Sequence, residues 1–277
     1  MLRLFDAHCH LQDERFGCNA AKVIQEAQSA GVQKLACNGC WEGDWEKVLN
    51  IAREHEAVIP NFGLHPWWVK DRTSGWLNKL REQLLAHPEA GLGECGLDHA
   101  KAGTAGHEVQ AEVFSQQLHL GSQLRRPVSV HCVKAFGALS DIVHKAGPFP
   151  AGLVLHSWAG SAEVTRQLAR IEGVYFSISG HTFNLSDKKL TPMLQQVPLD
   201  RLLLETDSPD GLLPLQKREI SKQKTVTTDD PDENETLNKP ANVRAVLTLV
   251  SSIMHAEEDR VAESAFRNAC KVFGVSA

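Results

Sequence analysis

No apolar run in these 277 residues approaches the ~20 that a membrane-crossing helix needs, so a membrane protein of that kind is not expected. Glycine and proline show no excess, at 20 and 12 residues, which argues against fibrous or low-complexity architectures. No internal repeat and no low-complexity tract long enough to link domains is present. Positive charge is also in short supply: 29 Lys and Arg against 34 Asp and Glu leave a net charge of −5. A protein that holds nucleic acid by coating its phosphates is usually basic, so a stable binder of that type is excluded, although one phosphate at a time could still be processed. No apolar h-region precedes Asp6, His8 and His10, so no secretory leader is expected. Seven cysteines, an odd number, then read as reduced thiols inside the cell, in the cytoplasm or alternatively the nucleus. Cys37 and Cys40 form one CxxC without the second pair a zinc site would need, and read as buried or half-buried thiols near a strand end. Nothing points to an obligate protein partner.

What is present is a rhythm. Short apolar runs at Leu2–Phe5, Lys34–Cys37, Val58–Gly63, Gly91–Cys95, Val128–Val130, Gly152–Leu155, Val174–Ser177 and Leu202–Leu204 have the length and composition of strands covered on both faces. Helical patterns fall between and after them, at Ala20–Ala30, Trp45–Glu54, Trp76–Ala86, Val109–Leu124, Phe136–Lys145, Ala162–Arg170, Leu190–Gln196, Val243–Met254 and Arg260–Val272. Regular alternation of this kind predicts parallel pairing and a closed (β/α)8 TIM barrel as a single domain over residues 1–277. An open doubly wound sheet is the alternative, weakened by the lack of a glycine-rich phosphate fingerprint after the first strand. Residues 211–240 break the rhythm and carry Asp229, Asp230, Asp232, Glu233 and Glu235. They read as an irregular, solvated acidic loop rooted near the barrel mouth, where substrate gating is the alternative use.

Polar residues arrive in phase with the strand ends. His8 and His10 follow the first strand and, by alternation, share one face. Such a pair is weak evidence alone. Glu94 then closes the fourth strand, His131 the fifth, His156 the sixth, and Asp207 follows the eighth. In a closed barrel those ends ring one mouth, so the four histidines and two carboxylates converge. Burying any of them without a partner costs several kcal/mol, which makes a packing role for the whole set implausible. Imidazole and carboxylate donors suit Mg2+, Mn2+, Co2+ or Zn2+, and a carboxylate such as Glu94 can bridge two ions. No thiolate is expected among the donors, because alternation turns Cys9, Cys95 and Cys132 away from their ligand neighbours.

Asp6-Ala7-His8-Cys9-His10, Gly93-Glu94-Cys95-Gly96-Leu97-Asp98 and Leu204-Glu205-Thr206-Asp207-Ser208-Pro209 resemble the three signatures of TatD-type metal-dependent deoxyribonucleases. Gly63-Leu64-His65-Pro66, Arg126 to Cys132 and Asn268 are similar to further family positions, and the likeness runs from Phe5 to Phe273. The segments His131–Gly137 and His156–Ser161 resemble the eukaryotic, plant-like branch. The resemblance implies an amidohydrolase-like barrel with two divalent metal ions. It implies that His8, His10 and Asp207 hold one ion, that His131 and His156 hold the other, and that Glu94 bridges them. It makes Asp207 the general base as well, and places His65 against substrate phosphate. Three departures stand out: Lys134 where Arg is expected, Asn238-Lys239-Pro240 where Asn-Glu-Pro is usual, and a longer segment over 211–239.

The activity expected is hydrolysis of DNA phosphodiesters, trimming single-stranded or frayed ends as a 3′-5′ exonuclease, since an acidic chain with a narrow pocket is ill suited to gripping duplex. Lys134 and Trp158 join His65 as expected substrate contacts. Trp67, Trp68 and Trp158 all follow mouth-side motifs, where an indole can stack on a base, although packing is the ordinary use of each. The alternatives are a metal-dependent ester or amide hydrolase, for example an aminoacyl-tRNA deacylase, and a non-catalytic metal-binding scaffold.

Overall fold

The computed structural model describes residues 2–17, 19–221 and 237–277. Eight parallel strands run in sequence order: β1 (Leu4–Cys9), β2 (Val32–Asn38), β3 (Val58–Phe62), β4 (Gly91–Asp98), β5 (Val128–Val133), β6 (Leu153–Leu155), β7 (Val174–Ile178) and β8 (Leu202–Leu204). All but β2 and β5 are wholly buried, which is why most apolar runs are continuous rather than alternating. Helices return the chain between strands: α1 (Ala20–Ser29), α2 (Trp45–Glu54), α3 (Trp76–Ala86), α4 (His107–Leu124), α5 (Phe136–Ala146), α6 (Ala162–Leu168) and α7 (Asp187–Leu194). After β8 come α8 (Leu215–Ser221), α9 (Val243–Met254) and α10 (Glu258–Phe273).

Register sorts the side chains. Pairs such as Ala36 with Ile59, Val154 with Tyr175, and Ser177 with Leu203 put these residues on one sheet face, the barrel interior. That interior is apolar at its amino-terminal end, where Phe5, Ala36, Ile59, Val154, Tyr175 and Leu203 pack against Phe266 and Phe273 of α10. Phe5 stacks on Phe273 at 5.3 Å, and Asn268 of α10 donates to the carbonyls of Leu199 and Leu202. The larger apolar cluster fills the space between the sheet and the outer helices. Two residues further along the same interior face, polar groups replace apolar ones, and that change of character marks the mouth.

The seam between β1 and β8 closes through side chains as much as backbone. Thr206 donates its N–H and its hydroxyl to the two carboxylate oxygens of Asp6, at 2.9 and 2.5 Å. Beyond it the Asp207 N–H meets the His8 carbonyl, and the His10 N–H meets that of Ser208. Asp6 therefore joins the ends of the barrel.

Strands β1, β4 and β5 run further than their apolar runs suggest, because Gly96, Leu97 and Asp98 still pair with His131, Cys132 and Val133. The site residues on these strands are thus held by the sheet itself. One part of the expected irregular loop is helical: Leu215–Ser221 forms α8 behind Pro214, whose carbonyl accepts from Lys217 and Arg218. Leu215, which opens it, is 74% exposed and so marks no buried face. The acidic patch from Asp229 to Glu235 lies outside the described residues. Among the described residues no helix is long and apolar enough to cross a membrane.

Candidate active site

Six side chains drawn from both halves of the sequence meet at the mouth. The two oxygens of Glu94 face different histidine pairs. Oε2 lies 3.3 Å from His8 Nε2 and 3.4 Å from His10 Nε2. Oε1 lies 2.9 Å from both His131 Nδ1 and His156 Nε2. Asp207 completes the first group, its Oδ1 standing 3.4 Å from His10 Nε2 and 3.8 Å from His8 Nε2. Such groups of close donors are what a cation requires.

Each imidazole has its other nitrogen occupied. His8 Nδ1 meets the Ser129 hydroxyl at 2.9 Å, and His10 Nδ1 donates to the Asn38 carbonyl at 2.8 Å. His131 Nε2 faces Asp98 Oδ2, and His156 Nδ1 faces Glu205 Oε1, both at 3.3 Å. Outer partners of this kind fix the tautomer and leave a lone pair aimed inward, the arrangement of metal-binding histidines. The donor set therefore fits divalent cations.

His65 behaves differently. Its Nδ1 accepts the Trp67 N–H at 3.2 Å, so the proton sits on Nε2, which points at Glu94 Oε1 from 3.3 Å. It is a donor rather than a lone pair in the group. Burial pulls His65 down to about 4, which keeps the ring neutral. Glu94 and Asp207 are both held well below the usual carboxylate range. Burial acts to raise each, but the electrostatics of the surrounding histidines outweigh it: His65, His156 and His8 for Glu94, and hydrogen bonds from His10 and His181 for Asp207. Burial also opposes charge on His156, yet Glu94 and Glu205 drive it well above the ordinary value.

The loops are built to hold these groups. Gln117 of α4 bonds both the N–H and the carbonyl of Leu64, at 2.8 and 3.0 Å, which places His65. Gln110, two α4 turns nearer the mouth, accepts the Asp98 N–H and donates to its carbonyl. Glu205 Oε1 also accepts the Ser157 N–H at 2.6 Å.

Of the expected substrate contacts, Trp158 must be corrected. It is 1% exposed, packed on Phe136 and Phe176, with its indole N–H on Thr165 Oγ1 at 2.8 Å. The Trp158 N–H pairs with Ser177 of β7, which turns the ring into the wall between sheet and helices and away from any substrate. Trp67 and Trp68, for which packing was the ordinary expectation, are instead 42% and 37% exposed. Trp68 stacks on Trp41 at 5.0 Å, and Trp67 donates to Asp98 Oδ2 at 2.6 Å beneath Lys101. Lys134 is exposed immediately after β5. Packing, the ordinary expectation for all three, holds for Trp158, while Trp67 and Trp68 keep exposed ring surface.

Sequence reasoning missed Asp98, Glu205, His181, Trp41 and Cys40. Asp98 and Glu205 could have been found by alternation, since each shares strand parity with a chosen carboxylate. His181 Nε2 lies 3.3 Å from Asp207 Oδ2 on a loop that no periodicity marks. Cys9 and Cys95 do turn away, toward the carbonyls of Ala36 and Ser129. Cys37 is buried and Cys40 half-buried, as expected, but Cys40 Sγ stands 3.7 Å from His10 Nδ1 and 3.9 Å from Glu94 Oε2. A sulfur therefore stands beside the donor cluster. Burial pushes its thiol up to about 12.

The chain is similar to known proteins over nearly its whole length. The 3′-5′ ssDNA/RNA exonuclease TatD of Erwinia amylovora is 28% identical over 278 residues, covering 98% of this chain and all of that protein. The deoxyribonuclease TATDN3 of Homo sapiens is 27% identical, over 98% of this chain and 94% of its own. A TatD homologue of Escherichia coli superposes with a TM-score of 0.85 over 99% of both chains at 23% identity, which speaks to the fold. The family model described as TatD related DNase matches residues 5–274, and the chain belongs to that family.

Proposed function

We propose that this protein is a divalent-metal-dependent nuclease that removes nucleotides from the 3′ ends of single-stranded or frayed DNA. The observation that carries the reading is the division of Glu94, with one carboxylate oxygen facing His8 and His10 and the other facing His131 and His156. On this reading His8, His10 and Asp207 hold one ion, His131 and His156 the second, and Glu94 lies between them. Mg2+, Mn2+ or Zn2+ bound there would supply Lewis acidity toward a phosphate and lower the pKa of water.

The chain's own groups then divide the remaining work. Asp207 takes the proton of the attacking water at Oδ2, where His181 at 3.3 Å steadies the carboxylate and can pass the proton toward solvent. His65, neutral with its proton on Nε2, donates to a phosphate oxygen. Lys134 adds a positive charge at the rim, as a point charge without the fork of an arginine. The exposed indoles of Trp41, Trp67 and Trp68 offer stacking surface to unpaired bases. Stacking needs bases free of their partners, so the platform favours single strands and frayed ends over duplex.

Oligonucleotides labelled separately at each end, incubated with the Mg2+- or Mn2+-loaded protein, test the proposal. Shortening should begin at the 3′ end, and Glu94→Gln or Asp207→Asn should slow it by roughly 10²-fold or more, since each removes several kcal/mol of charge stabilisation or proton transfer. Wild-type turnover in both variants would refute the mechanism, and shortening from the 5′ end would refute the polarity.

A further inference from the structure

We infer that Cys40 is a sulfur ligand of this centre, joining His10 and Glu94 around the ion on the β1 side and favouring Zn2+ or Co2+ there over Mg2+. The inference deepens the two-ion reading above and rests on it.

Placement is the first argument. His10, Cys40 and Glu94 each offer a donor atom, and these lie within 4.8 Å of one another, as compact a group as the all-histidine and carboxylate sets beside it. Cys40 would be a fifth donor beside His8, His10, Asp207 and Glu94: its Sγ stands 3.9 Å from Glu94 Oε2 and 3.7 Å from His10 Nδ1, the ring nitrogen that donates to the Asn38 carbonyl, so rotation about its Cα–Cβ bond must bring the sulfur toward the ion that His10 faces through Nε2.

Rigidity is the second. The carboxylate of Asp44 accepts the Cys40 N–H at 2.9 and 3.1 Å. The Cys40 carbonyl accepts the His65 N–H at 2.8 Å, and the Gly39 carbonyl accepts the Glu94 N–H at 2.9 Å. The backbone that carries the sulfur is therefore tied directly to the backbones of two site residues. Gln12 braces the same loop by donating to the Asn38 carbonyl at 2.7 Å and to Asp44 at 3.3 Å. The Cα of Cys40 is therefore fixed relative to His65 and Glu94, and only rotation about its Cα–Cβ bond is left to aim the sulfur.

The remaining cysteines supply the contrast. Cys9 and Cys95 are committed to backbone carbonyls, and Cys37 to the Gln12 side-chain oxygen at 3.2 Å. None of these three is in a donor group with site histidines among the described residues.

The chemistry is a ligand exchange without a change of oxidation state. The S–H bond breaks, the sulfur lone pair binds the cation, and the proton passes to solvent. A dication drives that deprotonation. Thiolate is a soft donor, and adding it to imidazole and carboxylate shifts preference from Mg2+ toward Zn2+ and Co2+.

Full-length protein, stripped of metal and reloaded with Co2+, gives a direct readout. The wild type should show a sulfur-to-cobalt charge-transfer band in the near ultraviolet that Cys40→Ser loses and Cys132→Ser retains. Zn2+ affinity should fall by at least about tenfold in Cys40→Ser while Mg2+ affinity holds. Mapped alkylation of wild-type Cys40 should be blocked by Zn2+ and not by Mg2+. This last measurement and the wild-type band need no variant to fold. No band in the wild type, a band that survives Cys40→Ser, or alkylation indifferent to Zn2+ would overturn the assignment. The two readings fail separately: DNA cleavage without the band sinks the sulfur ligand alone, and the band without cleavage sinks the nuclease and leaves the ligand standing.

Discussion

Asp98 shows how a residue outside the donor set can govern it. Its Oδ2 receives the Trp67 indole N–H at 2.6 Å and faces His131 Nε2 at 3.3 Å, which leaves Nδ1 of that ring to point at Glu94. Asp98→Asn should weaken the second ion by about 10–100-fold, the usual cost of losing an outer partner, with the first ion little changed. Titration calorimetry would show one binding step weakened, and equal weakening of both would contradict the division. Protons report on the same site. Against burial, Glu94 and Glu205 drive His156 well above the ordinary imidazole value, so a cation must displace its proton. Binding should therefore release protons and tighten as pH rises through the neutral range, which calorimetry in buffers of different ionisation enthalpy would detect. Affinity independent of pH would contradict it. At this scale the ligand candidates were legible because His8, Glu94, His131, His156 and Asp207 interrupt apolar strands in phase with one end. Cys40 and Trp41 were not, since only the turn after β2 aims them, and one sequence carries no sign of that turn's direction.

Elements are where the chain was most legible. Trp45–Glu54, Trp76–Ala86 and Val243–Met254 form helices with the bounds their apolar periodicity predicts. Strand ends were less so: β4 and β5 continue through polar residues, because pairing with a neighbour depends on that neighbour and not on local apolarity. The contact between these two strands is correspondingly tight. At Gly96, φ is +140°, and an added Cβ would stand 2.0 Å from the His131 carbonyl oxygen. Gly96→Ala should therefore force β5 away, cost about 3 kcal/mol or more in urea unfolding, and displace His131 with it. A variant of wild-type stability that binds both ions would show that the strands have more room than this. At the opposite end, Phe273→Ala should cost about 3–5 kcal/mol by emptying the stack on Phe5 that seals the barrel.

For the molecule as a whole, closure and charge are coupled at Asp6. Burial pushes this carboxyl up to about 8, against the hydrogen bonds from Thr206 across the seam. A folded pKa raised from an unfolded value near 3.8 contributes stability that is full at low pH and lost as pH rises through 8. In metal-free protein the urea midpoint should fall between pH 6 and 9 by more in the wild type than in Asp6→Asn, whose amide stays neutral. Identical pH profiles would remove Asp6 from the account. The closed barrel was legible from eight evenly spaced apolar runs, yet the seam was not, because Asp6 reads as part of a histidine motif until Thr206 is seen opposite it.

The central claim is that two cations sit on either side of one carboxylate, and anomalous scattering from a crystal of the Mn2+- or Zn2+-loaded protein tests it most directly. Two peaks about 3.5–4 Å apart, one beside His8 and His10 and one beside His131 and His156 with Glu94 between, are the result expected. A single peak, or peaks away from Glu94, would contradict the account.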